Sequence, residues 1–296
     1  MIEIKIEDKH LPGLYQSADS SSMKEQKKYF NGIATYLILL ITAATLSYFD
    51  NLLTEPSLKI ISAILFLCTL SIMIWLRVSK PDDIWYNGRA VAESVKTRTW
   101  RWMMKSDPYE SDDDNIVRKQ FINDLKTILT QNESLIGKIG LQASIEEPIS
   151  DVMIQVRNLS RDERFEVYRK KRITNQAVWY TKKAKLNKNR GSLWFWITVA
   201  LHAFAIILLL CNIQHPILKM PIEVIAVGAS SVLTWLQAKK HNELSSSYSL
   251  TAHEIILIRA EIVSIENDAD FSDFIINCEN AFSREHTQWF ARKIEQ

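Results

Sequence analysis

Glycine and proline are both scarce, at 7 residues each. Turn-dense β architectures use more of both, so a chain this poor in them reads as mostly helical. Cysteine is rarer still: Cys68, Cys211 and Cys278 lie far apart, two of them inside apolar runs. No pair has metal-ligand spacing, and an odd count does not suggest a disulfide framework, so the three read as small apolar filler. An excess of one charge sign is also missing. The 36 Lys and Arg against 34 Asp and Glu leave a formal charge of +2, which excludes the global basic field of a nucleic-acid coat protein. The opening MIEIKIED has no basic stretch leading into an apolar core, so no signal peptide is expected. Enzyme signatures are absent as well. The GKIG stretch at 137–140 lacks the spacing of a phosphate-binding loop. No His and Cys cluster suggests zinc, and no Ser, His and Asp set announces itself. A chain that is not an enzyme and needs no cofactor is the expectation.

Long apolar runs are there, and they carry the fold. They cover residues 33–49, about 58–76, 193–213 and about 220–236; the interior of each is free of Lys and Arg, Lys59 standing only at the start of the second. Helices of about 17 to 21 residues rise roughly 25–32 Å, enough for a hydrocarbon core near 30 Å. The short polar turns at 50–57 and 214–216 make two hairpins. A soluble buried hairpin is the alternative for the shorter first pair. Lys24, Lys27 and Lys28 precede the first run, and Arg77 and Lys80 follow the second. Lys182, Lys183, Lys185, Lys188 and Arg190 precede the third, and Lys239 and Lys240 follow the fourth. The positive-inside rule then places both termini and the central region in the cytoplasm. Trp75, Trp194, Trp196 and Trp235 lie near run ends, where indoles favour the interface. The fold class is therefore all-α: an integral membrane protein with four transmembrane helices in two hairpins and a cytoplasmic helical bundle.

The hairpins repeat at an offset of about 160 residues: Gly32 and Gly191 open them, and Trp75 and Trp235 close them. Two units, 1–135 and 136–296, are expected, related by a pseudo-two-fold axis along the membrane normal. Outside the runs, helical periodicity covers 82–105, 116–128, a short helix from Pro148, 161–189 running on toward the third span, 239–266 continuing from the fourth, and 271–294. Ser106, Pro108 and the acidic 112–114 interrupt the first two.

Arg89, Lys96, Arg98 and Arg101 alternate with Trp85, Trp100 and Trp102. Cations neutralise phosphates and aromatic faces stack bases, so Arg89, Lys96, Arg98, Trp100, Arg101 and Trp102 are candidates for binding a nucleotide or short single strand. Amphipathic packing is the competing explanation, and Glu93 reads as an ion-pair partner of a neighbouring cation. The basic run from Lys170 to Arg172 and on through 182–190 fits anionic headgroups. Inside the membrane, Glu223 near the outer end of the fourth span would make an acidic ring in an oligomer, favouring cations at a pore mouth. Against this stands an interfacial side chain snorkelling outward. His202 could gate or bond across helices. Ser230, Ser231 and Thr234 could line a pore or permit close packing.

Two segments resemble the SLATT family of bacterial two-span effectors. Residues 85–102 (WYNGRAVAESVKTRTWRW) with Pro108 and Tyr109, together with LPGLYQSAD at 11–19, look like one subfamily. Residues 168–180 (YRKKRITNQAVWY), leading through 182–189 into the third span, look like another. The second half departs from the family's usual Arg-Ala-Glu pattern at 248–254 (YSLTAHE). The resemblance implies a fused pair of units acting in antiphage defence at the bacterial inner membrane. It implies an oligomeric pore, such as a tetramer, that depolarises the cell under control of a nucleotide or oligonucleotide second messenger from an operon-encoded nucleotidyltransferase. Membrane lipid and further copies of the chain are the other expected partners. The alternative is a non-conducting scaffold recruiting a cytoplasmic enzyme; a third class is an enzyme acting on nucleotides or lipids.

Overall fold

In a computed structural model the described residues are 6–53, 56–137, 147–215, 217 and 219–294, and no strand occurs among them. Residues 54–55, 216 and 218 of the hairpin turns, and 138–140 of the GKIG stretch, lie outside that set. The helices are α1 (Gly13–Leu53), α2 (Pro56–Ser79), α3 (Pro81–Met103), α4 (Asp114–Gln131) and α5 (Glu133–Ile136). Then come α6 (Asp151–Arg157), α7 (Arg161–Tyr168), α8 (Asn175–Gln214), α9 (Ile222–Lys239), α10 (His241–Ala260) and α11 (Asp268–Ile294). A π-helical segment, Arg169–Thr174, joins α7 to α8.

Local chemistry explains the boundaries. Pro56 and Pro81 open α2 and α3, where a missing N–H costs nothing. The acidic run starts a helix as well as ending one: Asp113 accepts from the backbone of Asn115 and Ile116 and caps α4. The helix expected from Pro148 begins at Asp151, because Ser150 supplies the cap by accepting from Met153 N. Ser160 and Glu163 form a capping box on α7.

The helix expected to continue unbroken from the fourth span breaks at Lys240, which sits in the left-handed region with φ 49°. Lys80, between α2 and α3, does the same with φ 44°. These two lysines stand 160 residues apart (240 minus 80), the offset at which the hairpins repeat. A left-handed residue after a helix C-terminus redirects the chain, so both hairpins end on the same backbone device.

Among the described residues, three helical stretches are long and apolar enough to cross a membrane: Gly13–Asp50, Pro56–Met103 and Arg161–Gln214. The expected fourth span is α9, whose 18 residues rise about 27 Å. Glu223, Gln237 and Lys239 dilute its apolar character.

The chain divides into two compact units, each gathered from both halves of the sequence. Unit 1 comprises Met1–Gln26, Asp82–Ala184 and Ser246–Gln296. It holds a well-packed core of Val95, Met103, Tyr109, Phe121, Met153, Ile255 and Ile275, all 0–1% exposed, with Leu11 and Tyr15 added from the N-terminal end. Unit 2 comprises Lys27–Pro81 and Lys185–Ser245. Its exposed side chains include Ile60, Leu67, Phe195, Trp196 and Ile207, the surface expected of helices solvated by lipid.

Candidate functional site

In unit 2, α1 packs antiparallel to α2 and to α9. Ser62 donates to the carbonyl of Ala43 at 3.0 Å. A Cβ on Gly32 would lie 2.9 Å from Leu76, so the two helices meet closely there. On the other side Phe30 meets Trp235 edge to face, and the Tyr48 hydroxyl donates to the carbonyl of Lys219 at 2.6 Å. The ammonium of Lys239 lies over Phe30 at 3.4 Å and over Trp235 at 4.6 Å. Trp235 also meets Trp194 of α8. Near Gly191, Asn187 pairs with the ring of His241 at 2.8 Å.

The helices differ in what they leave uncovered. On α2 the covered positions are Leu58, Ser62, Leu65, Thr69, Ile72, Leu76 and Ser79, alternating steps of four and three. On α8 the same rhythm runs through Gly191, Trp194, Thr198, Leu201, Ala205, Leu208 and Asn212. Each is therefore held by one seam of coiled-coil spacing, and the wide remainder is chiefly aliphatic and aromatic. On α9 the opposite holds. Only a narrow stripe is exposed, and it reads Glu223, Ala226, Ser230, Leu233, Thr234 and Gln237. The exposed stripe of α1 includes Asn31, Thr35, Ile38 and Thr42. The inner helices thus show mixed, hydroxyl-bearing edges while the outer ones show hydrocarbon.

Of the expected pore residues, Glu223, Ser230 and Thr234 share that stripe on α9, with the Thr234 hydroxyl bonded back to the Ser230 carbonyl. Ser231 is on the packed side, 3% exposed. His202 stands on the outward face of α8, its ring bonded to the Thr198 carbonyl one turn earlier at 2.8 Å.

In unit 1 the expected ligand residues fall into separate groups. Trp100 and Trp102 are 3% and 4% exposed and belong to the core, Trp100 against Tyr168 and Trp102 against Phe121. Neither ring presents a face to a base in this arrangement. Lys96 bonds Asp8 at 3.2 Å and lies over the ring of Tyr15, and Arg89 pairs with Glu93 at 3.6 Å. Arg98 faces Asp124 at 3.7 Å, and Arg101 donates to the carbonyl of Asp107 at 2.8 Å. Lys170, from the basic run, pairs with Glu166 at 3.5 Å.

Sequence reasoning missed the densest polar cluster. Arg172 and Glu279 are 1% and 0% exposed and paired through two bonds: Nε to Oε1 at 2.9 Å and Nη2 to Oε2 at 2.7 Å. Tyr168 donates to Oε1 at 2.8 Å and Thr97 to Oε2 at 3.1 Å. Each carboxylate oxygen therefore accepts two bonds, which a buried charge requires. The guanidinium also lies over Phe282 at 4.9 Å. Arg172 sits in a basic run that reads as surface, and its acid is 107 residues away, so nothing local announces the pair.

A second buried cation, Arg157, donates to the carbonyls of Trp102, Tyr109 and Ser111 and ties the end of α3 to the following loop. Burial lowers the pKa of this guanidinium, opposed by nearby Asp114. Burial likewise pushes the Tyr109 phenol well up, helped by its hydrogen bond to Asp124, and raises the Cys278 thiol. No group of His, Cys, Asp and Glu that could hold a metal ion occurs among the described residues.

Residues 12–165 match the family described as SMODS and SLOG-associating 2TM effector domain 3. Residues 168–289 match the one described as SMODS and SLOG-associating 2TM effector domain 1. No curated protein and no solved structure matches the chain. The two matched stretches each contain one hairpin, and they meet in the last turn of α7, just before the π-helical segment that carries Arg172. This α-helical membrane chain therefore belongs to the SMODS and SLOG-associating 2TM effector (SLATT) family, as a domain 3 followed in tandem by a domain 1.

Proposed function

We propose that this two-domain effector assembles in a bacterial inner membrane into an ion-conducting pore that depolarises the cell during phage infection. The exposed stripe of α9 carries the reading. Glu223, Ser230, Thr234 and Gln237 are a poor surface for lipid, whereas the exposed faces of α2 and α8 are a good one. Polar groups at membrane depth face protein or water, and a repeated acid at a pore mouth attracts cations. Copies of the chain meeting along α9 would cover the stripe and enclose a wet path. The Lys and Arg flanking the hairpins support cytoplasmic termini and a cytoplasmic unit 1.

Control is assigned to unit 1, by a nucleotide or oligonucleotide second messenger made by a partner nucleotidyltransferase. The family description, an effector associated with SMODS and SLOG, supports this assignment. The α3 cations Arg89, Lys96, Arg98 and Arg101 offer phosphate a foothold in competition with Glu93, Asp8, Asp124 and the Asp107 carbonyl. Ligand acts by differential affinity for closed and open states, and no catalytic turnover is involved.

The test is ion flux through liposomes carrying the full-length protein, with and without cyclic oligonucleotides, beside membrane-potential dye in cells under phage challenge. Flux that Glu223→Gln makes less cation-selective is expected. Liposomes that stay tight at every protein and nucleotide dose overturn the pore reading and favour a non-conducting scaffold.

A further inference from the structure

Six consecutive residues, Arg169–Thr174, form a π-helical segment immediately before α8, and α8 then runs without a break from Asn175 to Gln214 through the apolar run at 193–213. A π turn is an α-helix carrying extra residue length, and it is less favourable than the α form unless its surroundings hold it. Absorbing one residue into regular α-helix rotates everything downstream by about 100° and shifts it by about 1.5 Å.

The fourth residue of the segment is Arg172, whose Nε and Nη2 are both held by Glu279 of α11. Glu279 is in turn held by Tyr168 at the end of α7 and by Thr97 of α3. Thr97 belongs to the first family domain, and Tyr168, Arg172 and Glu279 belong to the second. A bidentate pair at 1% and 0% exposure tolerates little rotation of the helix that bears it, because a turned guanidinium would leave a buried carboxylate uncompensated.

We propose that the Arg172–Glu279 pair is a latch that holds the π register and so sets which face α8 shows along the apolar run. Movement of α11 away from α3 and α7 breaks the pair, relaxes the segment to α-helix and turns the α8 seam out of its packing. The residues at stake are Trp194, Thr198, Leu201, Ala205 and Leu208, with His202 on the adjacent exposed face. The proposal rests on the pore reading only for its consequence, conduction. The rotation itself is independent of it.

The experiment uses full-length protein in liposomes, in a background lacking Cys68 and Cys211, with single spin labels placed through residues 197–209. Collision with oxygen dissolved in the bilayer reports which labels face lipid. In the unsubstituted chain the accessibility minimum should pass through Thr198, Leu201, Ala205 and Leu208; a minimum elsewhere overturns the proposal at once. In E279Q the phase of the pattern should turn by about 100°. Because E279Q strands a buried cation, R172M/E279M is measured beside it: apolar side chains of similar length remove the latch without leaving a charge. An unmoved phase in a folded variant of either kind refutes the latch. Ion flux is read on the same vesicles. A turned phase with no flux sinks the pore reading alone, and flux with an unmoved phase sinks the latch alone.

Discussion

Replacing Arg157 by methionine tests how unit 1 is held together. The guanidinium donates to the Trp102 carbonyl at 2.7 Å and to those of Tyr109 and Ser111 at 3.1 Å each, and its plane lies 5.0 Å from the Trp102 ring. Methionine keeps most of the apolar stem and removes all three donors. Stranding the two fully buried carbonyls costs about 1–3 kcal/mol apiece. The Ser111 carbonyl is only partly buried and can turn to water. Against this, the variant no longer has to desolvate a cation that is 2% exposed, which returns part of the loss. A net destabilisation of about 2–4 kcal/mol follows, and for a domain of about 150–250 residues that is a fall of roughly 5–15 °C in the melting midpoint. Thermal unfolding of the full-length protein in detergent, followed by tryptophan fluorescence, measures it, since Trp102 reports on the site directly. A midpoint within about 2 °C of the unsubstituted chain, with the same native spectrum, would show that those carbonyls find water or another partner and that Arg157 is dispensable.

Cys278 is fully buried with its thiol pKa raised, so a water-soluble maleimide should leave it unmodified in the folded protein and label it in denaturant; fast native labelling seen by mass spectrometry contradicts the packing of α11. Tyr109→Phe removes the hydroxyl bonded to Asp124 and should cost about 1–2 kcal/mol, read from the same melts. Because burial and Asp124 raise the Tyr109 phenol, its contribution is fully present below the ordinary phenol range near pH ~10 and is lost as pH climbs through the higher folded value. Absorbance titration near pH ~10 should accordingly count the same number of ionising tyrosines in the native protein as in native Tyr109→Phe, and one more in the denatured protein than in denatured Tyr109→Phe. Lys80→Gly relieves a left-handed backbone at φ 44° and should raise the midpoint by the equivalent of about 0.5–1 kcal/mol, whereas a loss would mean that the lysine side chain matters more than its dihedral.

The apolar runs were readable because hydrocarbon length is a one-dimensional property: 193–213 falls inside the Arg161–Gln214 stretch and 33–49 inside Gly13–Asp50. The repeat was readable for the same reason, through Trp75 and Trp235. What hydropathy along the chain does not reveal is the side of a helix. Ser230 and Ser231 are neighbours, yet one is exposed on α9 and the other packed, and only the arrangement of α1 and α8 around α9 separates them. Trp100 and Trp102, which resemble a stacking platform beside cations, are core residues because Tyr168 and Phe121 come to cover them from distant parts of the chain. The redirection at Lys80 and Lys240 was invisible because lysine carries no preference for a left-handed backbone, unlike glycine or asparagine. Glu279 was invisible because a single acid in an amphipathic helix resembles every other.

One feature of unit 1 bears on how the protein is made. Its interior needs Leu11 from the beginning of the chain, Phe121 from the middle, and Phe274 and Phe282 from near the end. During synthesis both hairpins leave the ribosome before that interior can close. A product released early, even one cut where the two family domains join, would carry apolar helices while leaving Leu11 and Phe121 without the side chains that cover them. Closure of unit 1 therefore waits on α11, whatever the order in which the hairpins are made.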